Sequence, residues 1–303
     1  MAALNPTTIL RLEASDMSQQ EPSLYFQPQA DTPLEPLLVA VLANNDGVPL
    51  SKEWIKTLLD KLDGCDVYDR NLFLSGVIIT TPRLGQIVLR DSWERRNASS
   101  YRSLFYTDNK LHPGSRLYDD EKEGFFLGLK PNMDLSPLTV FKRLGVASIS
   151  NTGLVIAIPS RAPTLVTNAP PNLRVAVKDY FLVHGIKTSL CNRAYYDLSE
   201  HAAFTAEVIQ ALTNDGAHIR GLTKLSSVIA PEKPVDAVDY STALNPRGNG
   251  YQSPAGSGSG SAAAVAAYGW LDCAIGTDTS GSGRRPAWRM VFGNSGLLMI
   301  LSR

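Results

Sequence analysis

Residues 254–284 read PAGSGSGSAAAVAAYGWLDCAIGTDTSGSGR, and their reading decides the fold. A glycine/serine loop, Ala255-Gly256-Ser257-Gly258-Ser259-Gly260-Ser261, runs into the small-residue stretch Ser261-Ala262-Ala263-Ala264-Val265-Ala266-Ala267. Glycine and serine also dominate flexible spacers, but a spacer does not open directly into a run of good helix formers. We therefore expect a helix of side chains small enough to pack closely, entered from a loop whose backbone N–H groups face developing negative charge. The spacing G-x-x-x-x-G-K-[ST] is absent, which excludes a phosphate-cradling P-loop and makes a nucleotide-binding reading much the weaker one. After the helix, Cys273-Ala274-Ile275-Gly276 reads as a short apolar strand, closed by a second Gly/Ser turn that ends at Ser282.

Working back from the loop, Leu173-Arg174-Val175-Ala176-Val177-Lys178 is a largely apolar run, and such a strand is normally covered on both faces. A lysine at its end is either a side chain reaching water or an amine in a poorly solvated place. In the second case desolvation disfavours the ammonium and makes the amine a usable base near neutral pH.

These pieces together resemble the amidase signature family. Val175-Ala176-Val177-Lys178-Asp179, followed by Gly185 and Thr188-Ser189, is similar to the segment carrying that family's lysine. Aligning on S-A-A-A-V-A sets the loop against the family pattern P-G-G-S-S-G-G-S. Gly276-Thr277-Asp278-Thr279-Ser280-Gly281-Ser282 resembles G-T-D-T-G-G-S. The resemblance implies Lys178 as base, Ser257 as a serine after a cis peptide bond from Gly256, and Ser282 as nucleophile. It further implies an oxyanion hole from the N–H groups of Thr279, Ser280 and Gly281, joined by that of Ser282. The activity implied is hydrolysis of a carboxylic amide C–N bond through an acyl-enzyme, with a small-molecule amide as partner and no cofactor or metal. His184 falls at a family position without a catalytic role. Asp179 and Asp278 suit hydrogen bonding to turn N–H groups better than catalysis.

The sequence departs from the family at several points. Ala255 and Ser259 replace glycines, Gly258 stands where the family has a second serine, and Ser280 replaces a glycine of the nucleophile turn. After Arg285-Pro286-Ala287 the text changes to Trp288-Arg289-Met290 and continues to Arg303 without likeness to the family. The expectation drawn from this is a truncated or differently spliced gene, whose sheet would present an open edge. The alternative to an enzyme is then a catalytically inactive amidase-like remnant acting as an interaction or regulatory module.

The rest of the chain sets bounds. With 303 residues there is room for one large or two ordinary domains. Twenty-nine basic and 29 acidic residues leave no net field for nucleic acid or an anionic membrane. Cys65, Cys191 and Cys273 form neither a disulfide framework nor a zinc pattern. The N-terminus lacks a secretory pattern and no run is long enough to span a bilayer, so a cytoplasmic protein is expected.

The organisation expected is a lead-in (1–33), an accessory α+β domain (34–160) and an amidase signature domain (161–303). The fold class is α/β: a partial amidase-signature α/β/α sandwich with a mixed sheet, preceded by a smaller α+β domain. The N-terminal extension resembles that of fungal amidase-like proteins. Strands are expected at 36–42, 72–81, 85–90, 153–159, 173–178 and 218–225. Helices are expected at 51–63 and 199–212, and turn-rich connections at 108–113 and 117–123.

Overall fold

The computed structural model describes residues 115–130, 141–145, 153–159, 173–229, 237–249 and 252–290 in full. It also describes the backbone of several further strands and a few helical positions near residue 55. The chain divides into two units: residues 1–117 with 158–171, and residues 118–157 with 172–303.

In the first unit, β1 (Leu24–Tyr25) pairs antiparallel with the start of β6 (Ser115–Asp119). A four-stranded sheet runs in the order β3-β2-β4-β5, from β2 (Leu37–Ala43), β3 (Gly76–Thr80), β4 (Ser103–Thr107) and β5 (Lys110–Pro113). The strands expected at 36–42 and 72–81 are present. The connection expected at 108–113 is instead the return arm of a hairpin, in which His112 lies opposite Phe105. The connection expected at 117–123 begins inside β6. Both stretches are charged, and a two-stranded ladder satisfies backbone groups whatever the polarity of the outward residues. Of the helix expected at 51–63, Glu53, Lys56, Thr57 and Asp60 are helical and exposed. They form one polar face at i, i+3, i+4, i+7; the expected apolar stripe and the strand expected at 85–90 lie outside the described residues.

The second unit is built on β7 (Phe125–Pro131), β8 (Phe141–Arg143), β9 (Val155–Pro159), β10 (Arg174–Lys178), β11 (His218–Thr223), β12 (Cys273–Thr277), β13 (Asn294–Ser295) and β14 (Leu298–Ser302). Seven of these form one mixed sheet in the order β13-β14-β12-β10-β11-β7-β8. The central strands β12, β10 and β11 are parallel, whereas β7 and β14 join antiparallel on either side.

Among the described residues four helices accompany the sheet: α1 (Arg193–Leu198), α2 (Glu207–Asn214), α3 (Ser259–Ala267) and α4 (Arg284–Met290). Alternation along β10 sends Val175 and Val177 to one face and Ala176 and Lys178 to the other. The first pair joins a core with Ile209 of α2, Ile219, Leu222 and Ile275, each buried aliphatic contributing about 1.5–3 kcal/mol. The second pair faces α3, which packs on β10 and β12. Helices therefore cover both faces of the central strands, and Lys178 points to the side from which the Gly/Ser loop enters α3.

Close packing explains the composition of α3. Ala262, Ala263, Ala264 and Val265 are fully buried. A Cβ on Gly260 would lie 2.2 Å from the Gly124 carbonyl oxygen, so only glycine allows the helix to approach β7 this closely.

Three expectations are corrected here. The boundary expected near 160 gives way to a division in which 118–157 clusters with the later residues, because β7 and β8 extend the same sheet as β10 and their apolar residues Leu127, Leu129 and Phe141 enter its core. Of the helix expected at 199–212 only α2, from Glu207, forms; residues 199–206 are irregular chain following α1. Ser199 ends α1, and the Ala202 carbonyl and N–H pair with Gly185 and Ile186 at 2.9 and 3.1 Å instead of continuing a helix. That arrangement leaves Phe204 62% exposed rather than on a buried stripe. Finally, a sheet with an open edge is expected, whereas β12 is paired over five positions with β14, from the stretch that lacks family likeness.

Candidate active site

The parallel strands β10 and β12 end side by side, which brings Lys178 and Thr277 to one end of the sheet. Lys178 is 0% exposed. Its Nζ donates to Ser257 Oγ at 2.8 Å and to Thr277 Oγ1 at 3.1 Å. Burial pulls the amine down from 10.5 to about 8, against the opposing pull of the Asp278 carboxylate. A lysine held there exchanges protons near neutrality, which an ordinary surface lysine does not.

The Gly256–Ser257 peptide is cis, as the family resemblance implied. The loop that carries it is held on two sides. The Ser257 carbonyl accepts from the Ser226 N–H at 3.2 Å, and the Gly258 N–H donates to the Ser282 carbonyl at 2.9 Å. Ser257 and Ser282 are both buried, at 3% and 9% exposure. Lys178 and Ser257 are thus joined by a side-chain bond, and the backbone next to Ser257 is joined to Ser282.

Asp278 builds the turn beneath Ser282. Its carboxylate accepts the N–H of Gly281 at 2.7 Å, of Gly283 at 3.2 Å and of Arg284 at 2.8 Å, together with Nε and Nη2 of Arg284. Those Arg284 bonds, aided by the turn N–H groups, hold the carboxyl well below the usual carboxylate range. Gly281 sits at φ +114°, where a Cβ would be strained and would press on the Arg285 side chain.

The use of the Gly281 N–H by Asp278 corrects one expected role: that N–H is committed to the turn and does not point at an incoming oxyanion. Thr279 and Ser280 are exposed and Ser282 is buried. Ser280, placed where the family has glycine, is exposed, so its Cβ meets solvent.

The remaining titratable candidates have other work. Asp179 is fully buried and binds Ser189 rather than facing the relay. His184 is exposed. Burial pushes the thiols of Cys191 and Cys273 up to about 11, which leaves them protonated and unreactive at neutral pH. Among the described residues no group of three or more His, Cys, Asp or Glu is placed to hold a metal ion, and no helix is long and apolar enough to cross a membrane. Thr277 is the site residue that sequence reasoning missed; the signal available was its place at the end of a strand parallel to the one bearing Lys178.

Comparison with known proteins shows what part of the chain is similar to. Residues 171–293 match the Amidase family. Over 145 residues the chain is 36% identical to Amidase 1 of Arabidopsis thaliana, covering 47% of this chain and 33% of that protein. It is 40% identical over 113 residues to a glutamyl-tRNA(Gln) amidotransferase component of Methanospirillum hungatei, covering 37% and 25% respectively. Among solved structures, the peptide amidase from Stenotrophomonas maltophilia is similar at 32% identity, covering 38% of this chain and 23% of that one, with a TM-score of 0.33. The chain thus spans about a third or less of the length of these relatives.

Proposed function

We propose that the protein is an amidase that hydrolyses a carboxylic amide C–N bond through Lys178, Ser257 and Ser282. The observation that carries this reading is the buried 2.8 Å contact between Lys178 Nζ and Ser257 Oγ, inside a segment of amidase sequence. In the active form the Lys178 amine is neutral and turns its lone pair toward the Ser257 hydroxyl while an N–H remains on Thr277. Lys178 takes the Ser257 proton as Ser257 takes that of Ser282, and Ser282 Oγ forms its bond to the amide carbon.

The tetrahedral oxyanion accepts from the N–H groups of Thr279, Ser280 and Ser282, each such donor contributing about 3–4 kcal/mol to the transition state. The proton returns through Ser257 to the leaving nitrogen, the C–N bond breaks, and the amine departs. Water then attacks the Ser282 ester by the same relay and releases the acid. The expected substrate is a small amide.

A fluorophosphonate probe tests the reading. Covalent labelling is expected in the wild-type protein and absent in Ser282→Ala. A folded wild-type protein that does not label supports the inactive-remnant alternative and refutes the amidase reading.

A further inference from the structure

We propose that Asp179, a buried acid outside the proton relay, is a positioning residue that holds Ser257 against Lys178 through a strap formed by residues 189–191 and 226–229; the proposal rests on the amidase reading above. Asp179 directly follows the base and is 0% exposed. Its Oδ2 accepts the Ser189 N–H at 2.9 Å and the Ser189 hydroxyl, and the Leu190 N–H also bonds the carboxylate. Ser189 Oγ in turn accepts the Cys191 N–H at 2.9 Å, and Cys191 Sγ accepts the Leu225 N–H at 3.3 Å.

From there the contacts run on toward the relay. The Leu190 carbonyl accepts the Val228 N–H at 2.9 Å, the Ser226 carbonyl accepts the Ile229 N–H at 2.9 Å, and the Ser226 N–H donates to the Ser257 carbonyl at 3.2 Å. The path starts one residue after the base and ends on the residue the base touches.

The backbone of the strap is the second, independent observation. Leu190, Cys191, Val228 and Ile229 have φ of 47°, 51°, 50° and 61°. Bulky and β-branched residues rarely occupy the left-handed region, and such conformations persist only where surrounding contacts over-determine them. Here the over-determining contacts are those that Asp179 anchors. A strap whose members sit in unfavoured conformations relaxes when its anchor is removed, and Ser257 moves with it. Displacements of about 1 Å in a reacting group are enough to cost about 100-fold in rate.

The geometry also says which substitution should be tolerated. All described hydrogen bonds converge on one side of the carboxyl, and Oδ1 is buried without a hydrogen-bond partner among the described residues. An asparagine with its oxygen at the Oδ2 position keeps the acceptor and brings its NH₂ to a place where no donor opposes it. Burial pushes the Asp179 carboxyl up to about 7, so a neutral side chain suits the site.

The experiment compares Asp179→Asn with Asp179→Leu in the full chain, reading the fluorophosphonate labelling rate below the melting temperature and hydrogen exchange over 226–229 and 255–258. The Asn variant is expected to label within about threefold of wild type, and the Leu variant at least about tenfold more slowly while still folded, with exchange protection lost in both segments. A folded Leu variant with wild-type labelling and protection overturns the proposal, as does an Asn variant as impaired as Leu. If the Leu variant does not fold, Ser189→Ala decides: a several-fold slower rate with intact melting supports the strap, and an unchanged rate overturns it. An unlabelled wild-type protein defeats the amidase reading instead, and the exchange comparison then judges the strap alone.

Discussion

Lowering the pH should switch off Ser282 acylation through a single group, Lys178, because the relay needs its amine unprotonated. With the amine pulled to about 8 by burial, roughly half of the protein is competent at pH 8, about a tenth at pH 7 and about a hundredth at pH 6. The labelling rate of Ser282 by a fluorophosphonate, followed from pH 6 to 10, should rise about tenfold per pH unit at the acid end and level off above pH 9. Asp278→Asn should shift the midpoint downward, since its carboxylate is the group that favours the charged amine.

Stability carries the same signature. The folded value lies below the unfolded one, so the unfolded chain binds more protons between pH 8 and 10.5. The Lys178 contribution should therefore rise across that window by about 3 kcal/mol, read as the growing difference between wild type and Lys178→Met, in which the opposing contributions of the buried Cys191 and Cys273 thiols cancel. A flat rate profile, or a midpoint near 10.5, would refute the argument that Lys178 is desolvated and drives the relay.

Three further substitutions probe the parts around the relay. Thr277→Val keeps the shape of the side chain but removes the second acceptor on Lys178 Nζ; labelling should slow by about tenfold, the worth of one hydrogen bond, and stability should fall by about 1–3 kcal/mol because a buried donor loses its acceptor. Asp278→Ala leaves the N–H groups of Gly281, Gly283 and Arg284 without their acceptor and should cost about 3–5 kcal/mol in urea unfolding at pH 7. Because that carboxyl is depressed in the folded state, its stabilisation is complete above about pH 4 and fades only as acid titrates it, so variant and wild type should converge only at strongly acid pH. Gly260→Ala places a Cβ 2.2 Å from the Gly124 carbonyl and 2.6 Å from the Lys224 nitrogen, both backbone atoms that cannot yield; a loss of at least about 3 kcal/mol in the same assay is expected.

What the sequence made legible, and what it did not, follows from the range of the interactions involved. The apolar runs of β10 and β12 and the small residues of α3 carry their periods locally, so strand, helix and the contact of Lys178 with Ser257 were readable from 173–178 and 254–284 together with the family pattern. The break at 199–206 was not readable, because the apolar residues there keep a helical spacing while their backbone bonds go to Leu182, Gly185 and Ile186. Nor were β7 and β8 assignable to the amidase sheet: an antiparallel strand arriving from 125–131 obeys the same alternation in either unit, and only its pairing with β11 decides where it belongs.

At the site the same distinction separates Gly281 from Thr279. Both lie in a turn that can offer N–H groups to an oxyanion, and their order in the motif says nothing about which of them Asp278 has already taken. The nucleophile turn needs an internal acceptor for its own donors before it can present the rest outward. A carboxylate placed three residues before Gly281 supplies it, and the donors left for the proposed oxyanion hole are the N–H groups of Thr279, Ser280 and Ser282.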